Sequence, residues 1–508
     1  MLLSRPMLLL QWVFLIALAT VNGNPPEEPI KCSTNFTNCT ITNYYGTFPD
    51  HSICQAAEVT YPSSEDELVS VVAYATHANR KMRVATRYSH SIPKLVCPDG
   101  NDGLIISTEN LNRVIEINQE KMLITIESGV TLEQLINEAA KSGLALPNSP
   151  YWWGLTIGGL LGTGAHGSTL WAEGSAVHDY VVRMRIVTPG SAGDGYANIR
   201  TLEENGDFDN DMKAAKVSLG VLGVISQVTL KLQPMFKRSV TLVTRSDTDL
   251  SNQAAIFGRQ HEFADIAWYP SQKQVVYRID DRVSSNIPGD GLWDNLGFRA
   301  VASVALAILR STEDDLEAKG DAAGKCINGK LTSTVLINSA YGLTNDASGG
   351  CLNDPKDAEI TACPWDPRVN GLFFHQTTVS IVISKAKYFI QDIQKLVSIA
   401  PESLCGIDMY NGILMRYVTG SDAYLGKQED SLDFDFTYYR SKDPKMPRLF
   451  EDVLEEIEQM AVFKYGGLPH WGKNRNVAFI GVIKKYKNVR EFLEVKEKYD
   501  PLGLFSSE

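Results

Sequence analysis

Between Gly158 and Gly167 the chain carries five glycines in ten residues: Gly158-Gly159-Leu160-Leu161-Gly162-Thr163-Gly164-Ala165-His166-Gly167. Glycine lets a backbone adopt positive φ and approach a ligand closely, so main-chain N–H groups can converge on a phosphate. Residues 162–167 even match G-x-G-x-x-G. The dinucleotide fingerprint of that form needs a β-branched strand before it and a helix after it. Here Tyr151-Trp152-Trp153-Gly154 precedes, and the stretch after Ser168 is a poor helix. A Rossmann fold is therefore not expected. Two readings stay open, a structural turn and a cradle for a phosphate-bearing cofactor, and the glycine density beside His166 favours the cradle.

The flanking sequence alternates helical and strand patterns. Ser64 and Glu67 form a capping box before Leu68, Val71, Val72 and Ala75 at helical spacing. Met82–Thr86, Leu123–Ile126, Val181–Val187 and Val224–Leu230 read as strands, and Thr131 with Gln134 caps a second helix. The fold class is α+β, with one domain over 51–235 and a second over 236–508. In the second, helices are expected at Lys387–Ile399 and Pro447–Phe463, a short buried helix at Ala300–Leu309, and a long surface excursion at 312–370.

The net charge of −12 argues against a nucleic-acid partner. Met1–Gly23 reads as a signal peptide: Arg5, then an apolar run from Met7 to Ala19 too short to span a bilayer, then small residues for cleavage. The expected location is the secretory pathway, ending outside the cell, in the apoplast or in a vacuole. In that compartment the eight cysteines form disulfides, with pairing left open, and the absence of a CxxC pair argues against zinc or another bound metal. Asn35-Phe36-Thr37 and Asn38-Cys39-Thr40 in the segment 24–50 are glycan acceptor sequences.

Five segments, "RVATRYSHS" at 83–91, "IISTENLNRVIEI" at 105–117, "TIGGLLGTGAHGST" at 156–169, "SLGVLGVISQVTL" at 218–230 and "PHWGK" at 469–473, occur in an order and spacing that resembles the vanillyl-alcohol oxidase superfamily. Within it the chain is most similar to the aldonolactone oxidoreductases, in particular the plant L-gulonolactone oxidases. The resemblance implies a two-subdomain FAD-binding domain of the PCMH type followed by an α+β substrate (cap) domain. It implies FAD contacts from Arg87, Ser89, Ser91, Ser107, Thr108, Gly158, Gly159, Gly162, His166, Gly167, Gly223 and Val224. It also places His90 where many members attach the flavin covalently through a ring nitrogen, which suits the nucleophilicity of neutral imidazole.

In the second half, "NGILMRYVTGSDAYLG" at 411–426 matches the substrate strand of such proteins, and "HWGK" the loop facing it. Hydride loss from a secondary alcohol leaves negative charge on the cofactor, which a cation stabilises. Lys473 and Arg416 fit that work, and His470 fits acceptance or relay of the alcohol proton. The implied reaction converts an aldonolactone such as L-gulono-1,4-lactone to the 2-keto lactone that becomes ascorbate, reducing O2 to H2O2. Pro150, at the position that governs oxygen access in related proteins, points to an oxidase. One departure stands out: family members often carry a glutamate two residues before the arginine, and here that position is Leu414. Asp408, Asn411 or His470 are the candidates to compensate. An alditol or carbohydrate oxidase and a secreted flavin-binding protein without catalysis are the competing readings.

Overall fold

The computed structural model describes residues 30–41, 54–85, 93–98, 100–150, 155–284, 302–338, 342–344, 374–410, 412–439, 446 and 448–506. Strands β1 (Ile30–Thr34), β2 (Thr37–Ile41), β3 (Cys54–Thr60), β4 (Met82–Ala85) and β5 (Leu104–Ser107) form a sheet in the order β1-β2-β3-β5-β4. The β3-β5-β4 portion is parallel. A second, antiparallel sheet follows in the order β10-β9-β11-β7-β6, from β6 (Val114–Asn118), β7 (Leu123–Glu127), β9 (Val181–Pro189), β10 (Ala197–Glu203) and β11 (Val224–Lys231). The short strands β8 (Leu144–Ala145) and β12 (Gln233–Pro234) pair with each other.

The helix Glu65–His77 joins the two sheets. Ser64 Oγ accepts from the Glu67 amide at 3.2 Å, and the Glu67 carboxylate accepts from the Ser63 amide at 2.8 Å. Caps of this kind contribute about 1 kcal/mol. Its face of Leu68, Val72 and Ala75 packs with Met82 and Leu104 of one sheet and Val187 and Val224 of the other. The helix Leu132–Lys141, capped by Thr131, covers the second sheet with Leu132, Leu135 and Ile136.

An eight-stranded antiparallel sheet makes the second unit, in the order β16-β13-β15-β14-β18-β19-β17-β20. Its strands are β13 (Lys237–Ser246), β14 (Asp265–Tyr269), β15 (Gln274–Val283), β16 (Gly342–Thr344), β17 (Phe374–Val382), β18 (Ile413–Val418), β19 (Ser431–Tyr439) and β20 (Leu468–Pro469). Side chains directly opposite on neighbouring strands share a face. The row Ile266–Met415–Phe434–Val379 therefore lies on one face. Helices Leu250–Phe257 and Ile383–Ile399 cover it with Ala254, Phe257, Phe389, Ile390 and Ile393. The other face is polar and turns toward the first unit. This α+β architecture agrees with the sequence reading.

Three local expectations change. The described part of the 312–370 stretch is mostly helical, in Ala302–Lys319 and Ala322–Asn338, with the strand β16 after it. Some of its polar residues turn inward: Lys325 pairs with Glu313 at 3.3 Å, both buried, and Cys326 is bonded to Cys405, while Asp315 and Lys319 stay exposed. The helix expected to start at Pro447 begins at Glu451, behind Phe450 in the left-handed region, and closes with a π turn at Met460–Lys464. The chain's last stretch leaves the large sheet: Tyr486, Phe492 and Tyr499 join the core of the second sheet of the first unit, and Leu504 and Phe505 pack with Leu68. Disulfides also link Cys32 to Cys39 and Cys54 to Cys97, while Cys351 and Cys363 lie outside the described residues. Among the described residues no helix is long and apolar enough to cross a membrane.

Candidate functional site

The glycine run starts as a six-residue helix, Ile157–Gly162, and not as an open loop. Ile157 donates its amide to Val130 O (2.9 Å) and Gly158 to Ser128 O (2.8 Å), which moors the helix to the turn after β7. Glycine is required there by close approach: a Cβ at Gly129 would stand 2.0 Å from Thr108 O. The helix borders a cleft with about 570 Å3 of empty space, part of it open to solvent. Thr108, Gly158, Gly159, Gly162 and Gly223 line it, as the sequence suggested. Gly223 has φ of +137°, and a Cβ there would meet Val187 O at 2.4 Å.

The cleft suits a polar, phosphate-bearing ligand. Cβ atoms built at Gly162 or Gly220 would meet nothing within 4 Å, so the bare backbone faces the opening. Ser128 Oγ, also at its wall, is buried with no hydrogen-bond partner among the described residues. One buried cation braces the walls from behind. Arg83, 1% exposed, donates to the carbonyls of Leu95 (3.0 Å), Leu219 (3.1 Å) and Phe505 (2.7 Å). Leu95 and Leu219 line the cleft. Burial pulls the Arg83 pKa down to about 10.

The polar face of the large sheet carries the second half of the site. Register places Arg278, Asp265, Arg416, Asp433 and Ser380 in one row across β15, β14, β18, β19 and β17. The next row on that face is Ala267, Leu414, Asp435 and Thr378. Arg416 Nη2 donates to His166 O at 2.8 Å. His166 Nδ1 lies 2.8 Å from Gly167 O and Nε2 lies 3.1 Å from Asp433 Oδ2, so both ring nitrogens face acceptors. Burial lowers the His166 pKa and Asp433 opposes it, because the charged ring keeps both hydrogen bonds. Burial likewise works against the Asp433 charge, yet Lys427 and His166 hold its carboxyl far below the ordinary value.

Lys473 Nζ lies 3.0 Å from Asp435 Oδ2 and 3.2 Å from Oδ1. Burial, reinforced by the charge of Lys473, pushes the His470 pKa well below its usual value. His470 Nδ1 accepts from the Gly472 amide at 3.1 Å, leaving the proton of the neutral ring on Nε2. That tautomer is a hydrogen-bond donor at Nε2. The two halves meet at this loop: Gly472 lies against Thr163, a cleft residue, and the His470 and His166 ring centres are 5.6 Å apart.

The structure thus gathers Arg416, Lys473, His470 and His166 at one seam, with Gly167 beside them. Val224 instead sits in the core between the sheets, and Ser107 is buried next to Thr108. Arg87, Ser89, His90 and Ser91 lie outside the described residues, as does Asn411. Asp408 does not stand in for the missing glutamate: it is buried against Gly329 of the helix Ala322–Asn338, off the polar face. Sequence reasoning missed Ser128, Lys427, Asp433 and Asp435. The alternation Asp433-Phe434-Asp435-Phe436 was the available signal, since period two puts both carboxylates on one face.

Comparison with known proteins agrees with both halves. Residues 56–192 match an FAD binding domain family, and residues 372–508 match the family described as D-arabinono-1,4-lactone oxidase. "Probable L-gulonolactone oxidase 6" of Arabidopsis thaliana is 60% identical over 96% of this chain and 84% of its own length. "L-gulonolactone oxidase 2" of the same plant is 57% identical, covering 99% and 88%. The mouse L-gulonolactone oxidase is 24% identical over 89% and 94%. Among solved structures, a solvent-stable cholesterol oxidase superposes with a TM-score of 0.72 at 16% identity, covering 95% of this chain and 98% of its own. That likeness shows the fold. By the identity and coverage of its plant relatives, this chain belongs to the FAD-dependent L-gulonolactone oxidase family.

Proposed function

We propose that this protein oxidises L-gulono-1,4-lactone, or a related aldonolactone, to the 2-keto lactone that tautomerises to L-ascorbate, with O2 reduced to H2O2. The observation that carries the reading is the seam: a Cβ at Gly472 would stand 3.3 Å from Thr163 Cβ, so the loop bearing His470 and Lys473 rests on the wall of the FAD cleft. Bound FAD supplies the two-electron acceptor. Lys473 and Arg416 set positive charge at the seam, where negative charge develops as hydride leaves the substrate. His470 donates from Nε2, and the buried Arg416–Asp433–His166 cluster keeps bulk water from the row behind it.

His90 holds FAD covalently in this reading, which is supported by Val84 and Leu95: both line the cleft and they bracket the segment containing His90. The three disulfides support an oxidising, secretory location. Asn35 is the better glycan acceptor of the two, since Cys39 beside Asn38 is disulfide-bonded and buried.

The test is anaerobic mixing of purified protein with L-gulono-1,4-lactone. Visible flavin absorbance should bleach, then return within the mixing time of air-saturated buffer, with peroxide released. Bleaching by alditols but by no lactone would move the activity to alditol oxidation, and bleaching by neither would refute it. Flavin should also stay with acid-precipitated protein and be released from the His90→Ala variant.

A further inference from the structure

The polar face of the large sheet is closed along one row and less tightly closed along the next, where Asp435 and Thr378 are buried but Leu414 and Ala267 are half-buried. Arg416 and Asp433 are buried, sealed by His166 and Lys427. Leu414 is the single half-buried residue of β18, and Ala267, Gln376 and Thr437, on the same face, are half-buried as well. Asp435 stands directly opposite Leu414 on one side and Thr378 on the other, with Ala267 beyond Leu414 and the Gln376–Thr437 pair one row further along.

We infer that Asp435 is a catalytic residue of this chain, the group that receives the substrate's hydroxyl, with Lys473 beside it. This rests on the lactone-oxidation reading above. An ionised carboxylate offers about four acceptor positions. Thr378 Oγ1 and Lys473 Nζ occupy Oδ1, and Lys473 alone occupies Oδ2, so Oδ2 keeps room for a hydroxyl hydrogen. Lys473, its side chain 20% exposed, has a further N–H for a second substrate oxygen. An acceptor and a donor 3.0 Å apart match two oxygens on adjacent carbons, the hydroxyl-beside-carbonyl or vicinal-diol pattern of a polyhydroxy lactone. Leu414, facing the pair, offers an apolar wall to the ring's C–H side. A carboxylate on β18 is unnecessary because β19 supplies one across the register.

The experiment measures L-gulono-1,4-lactone binding by saturation-transfer NMR and turnover by peroxide release, on the flavin-loaded protein. Asp435→Asn should weaken binding and kcat/KM by about tenfold or more, the scale of a charge-assisted hydrogen bond, with flavin absorbance unchanged. Leu414→Glu in the Asp435→Asn background should restore most of the loss, because the new carboxylate enters the same space from the opposite strand. Leu414→Trp, at a half-buried position that tolerates bulk, should raise KM and leave flavin content intact. Binding and turnover within about twofold of the unmodified protein in both Asp435→Asn and Leu414→Trp would overturn the inference, since a lost charge-assisted bond costs far more. If Asp435→Asn does not fold, Leu414→Trp decides alone. Unmodified protein that binds the lactone without oxidising it would overturn the proposed function, and the binding arm would still decide Asp435. Absence of lactone binding to the unmodified protein would overturn both.

Discussion

The FAD cleft and the cap face are built on opposite principles. The cleft is made by backbone: a glycine helix, the Ser218–Gly223 turn and the Leu95–Val96 segment present main chain to the ligand, each from a continuous stretch. The cap face is made by side chains that meet only through register, with Arg416, Asp433, Asp435 and Thr378 arriving on three strands and Lys473, Lys427 and His166 from loops. Backbone sites tolerate no added atoms, and side-chain sites tolerate no lost charge. Substitutions should therefore fail differently in the two places.

The largest effect is expected where backbone meets backbone. Gly129→Ala drives a Cβ into the carbonyls of Thr108 and Leu111, neither of which can yield. A cost on the order of 4 kcal/mol or more is expected, seen as loss of soluble protein. Gly162→Leu should do the reverse: its Cβ meets nothing, so the protein folds while the side chain fills the cleft. The flavin-to-protein ratio should fall steeply at unchanged circular dichroism. A full flavin complement in that variant would mean the ligand lies elsewhere, and the contrast would collapse.

On the cap face the charges can be removed singly. Lys473→Met should slow flavin reduction by lactone about 10²-fold, the scale of one charge-stabilising donor, with little change in melting temperature because Lys473 is partly exposed. Arg416→Met should slow it similarly and also destabilise the protein, since Asp265 and Asp433 flank it in the buried row. Arg416 donates to His166 O, and leaving a buried acceptor without its donor costs about 1–3 kcal/mol. Equal melting temperatures for the two variants would show that the two rows are not closed to different degrees as described.

The same division explains what could be read from the chain alone. The caps at Ser64 and Thr131 and the glycines at 158, 159 and 162 are local signals, and each lies in a cap or at the cleft wall, whereas Gly223 was legible only through resemblance. Arg416 and Lys473 were legible only through resemblance. The alternation Asp433-Phe434-Asp435-Phe436 puts Asp435 on one face of a strand, but nothing along the chain tells that β19 sets it opposite Leu414. The helical stretch within 312–338 was read as a surface excursion for a related reason. Its Glu313, Lys325 and Ser333 look solvent-bound in composition, and only the folded pairing buries them.

The smallest expected effect is a pH dependence that belongs to the cap seam and not to the cleft. His470 is buried beside Lys473, and burial with that charge holds its folded pKa well below the unfolded value of about 6.5. His178, buried where it contacts Ser421 Oγ at 3.0 Å, is shifted the same way by burial. Below pH about 6.5 the unfolded chain binds protons at these rings that the folded chain does not, so stability is lost as pH falls. Each ring contributes up to about 1.4 kcal/mol per pH unit in that window. Asp433, with its folded pKa depressed, adds a separate loss only as pH falls below the unfolded carboxylate value of about 3.9. Denaturant midpoints should be flat above pH 7, fall from about 6.5 downward, and fall less steeply in His470→Gln. Gly162→Leu should keep the full slope, because no histidine is among the residues lining the described cleft. A flat profile from pH 7 to 5 in the unmodified protein would show that the seam admits water to both rings, and would remove the distinction between the two sites on which the other variants depend.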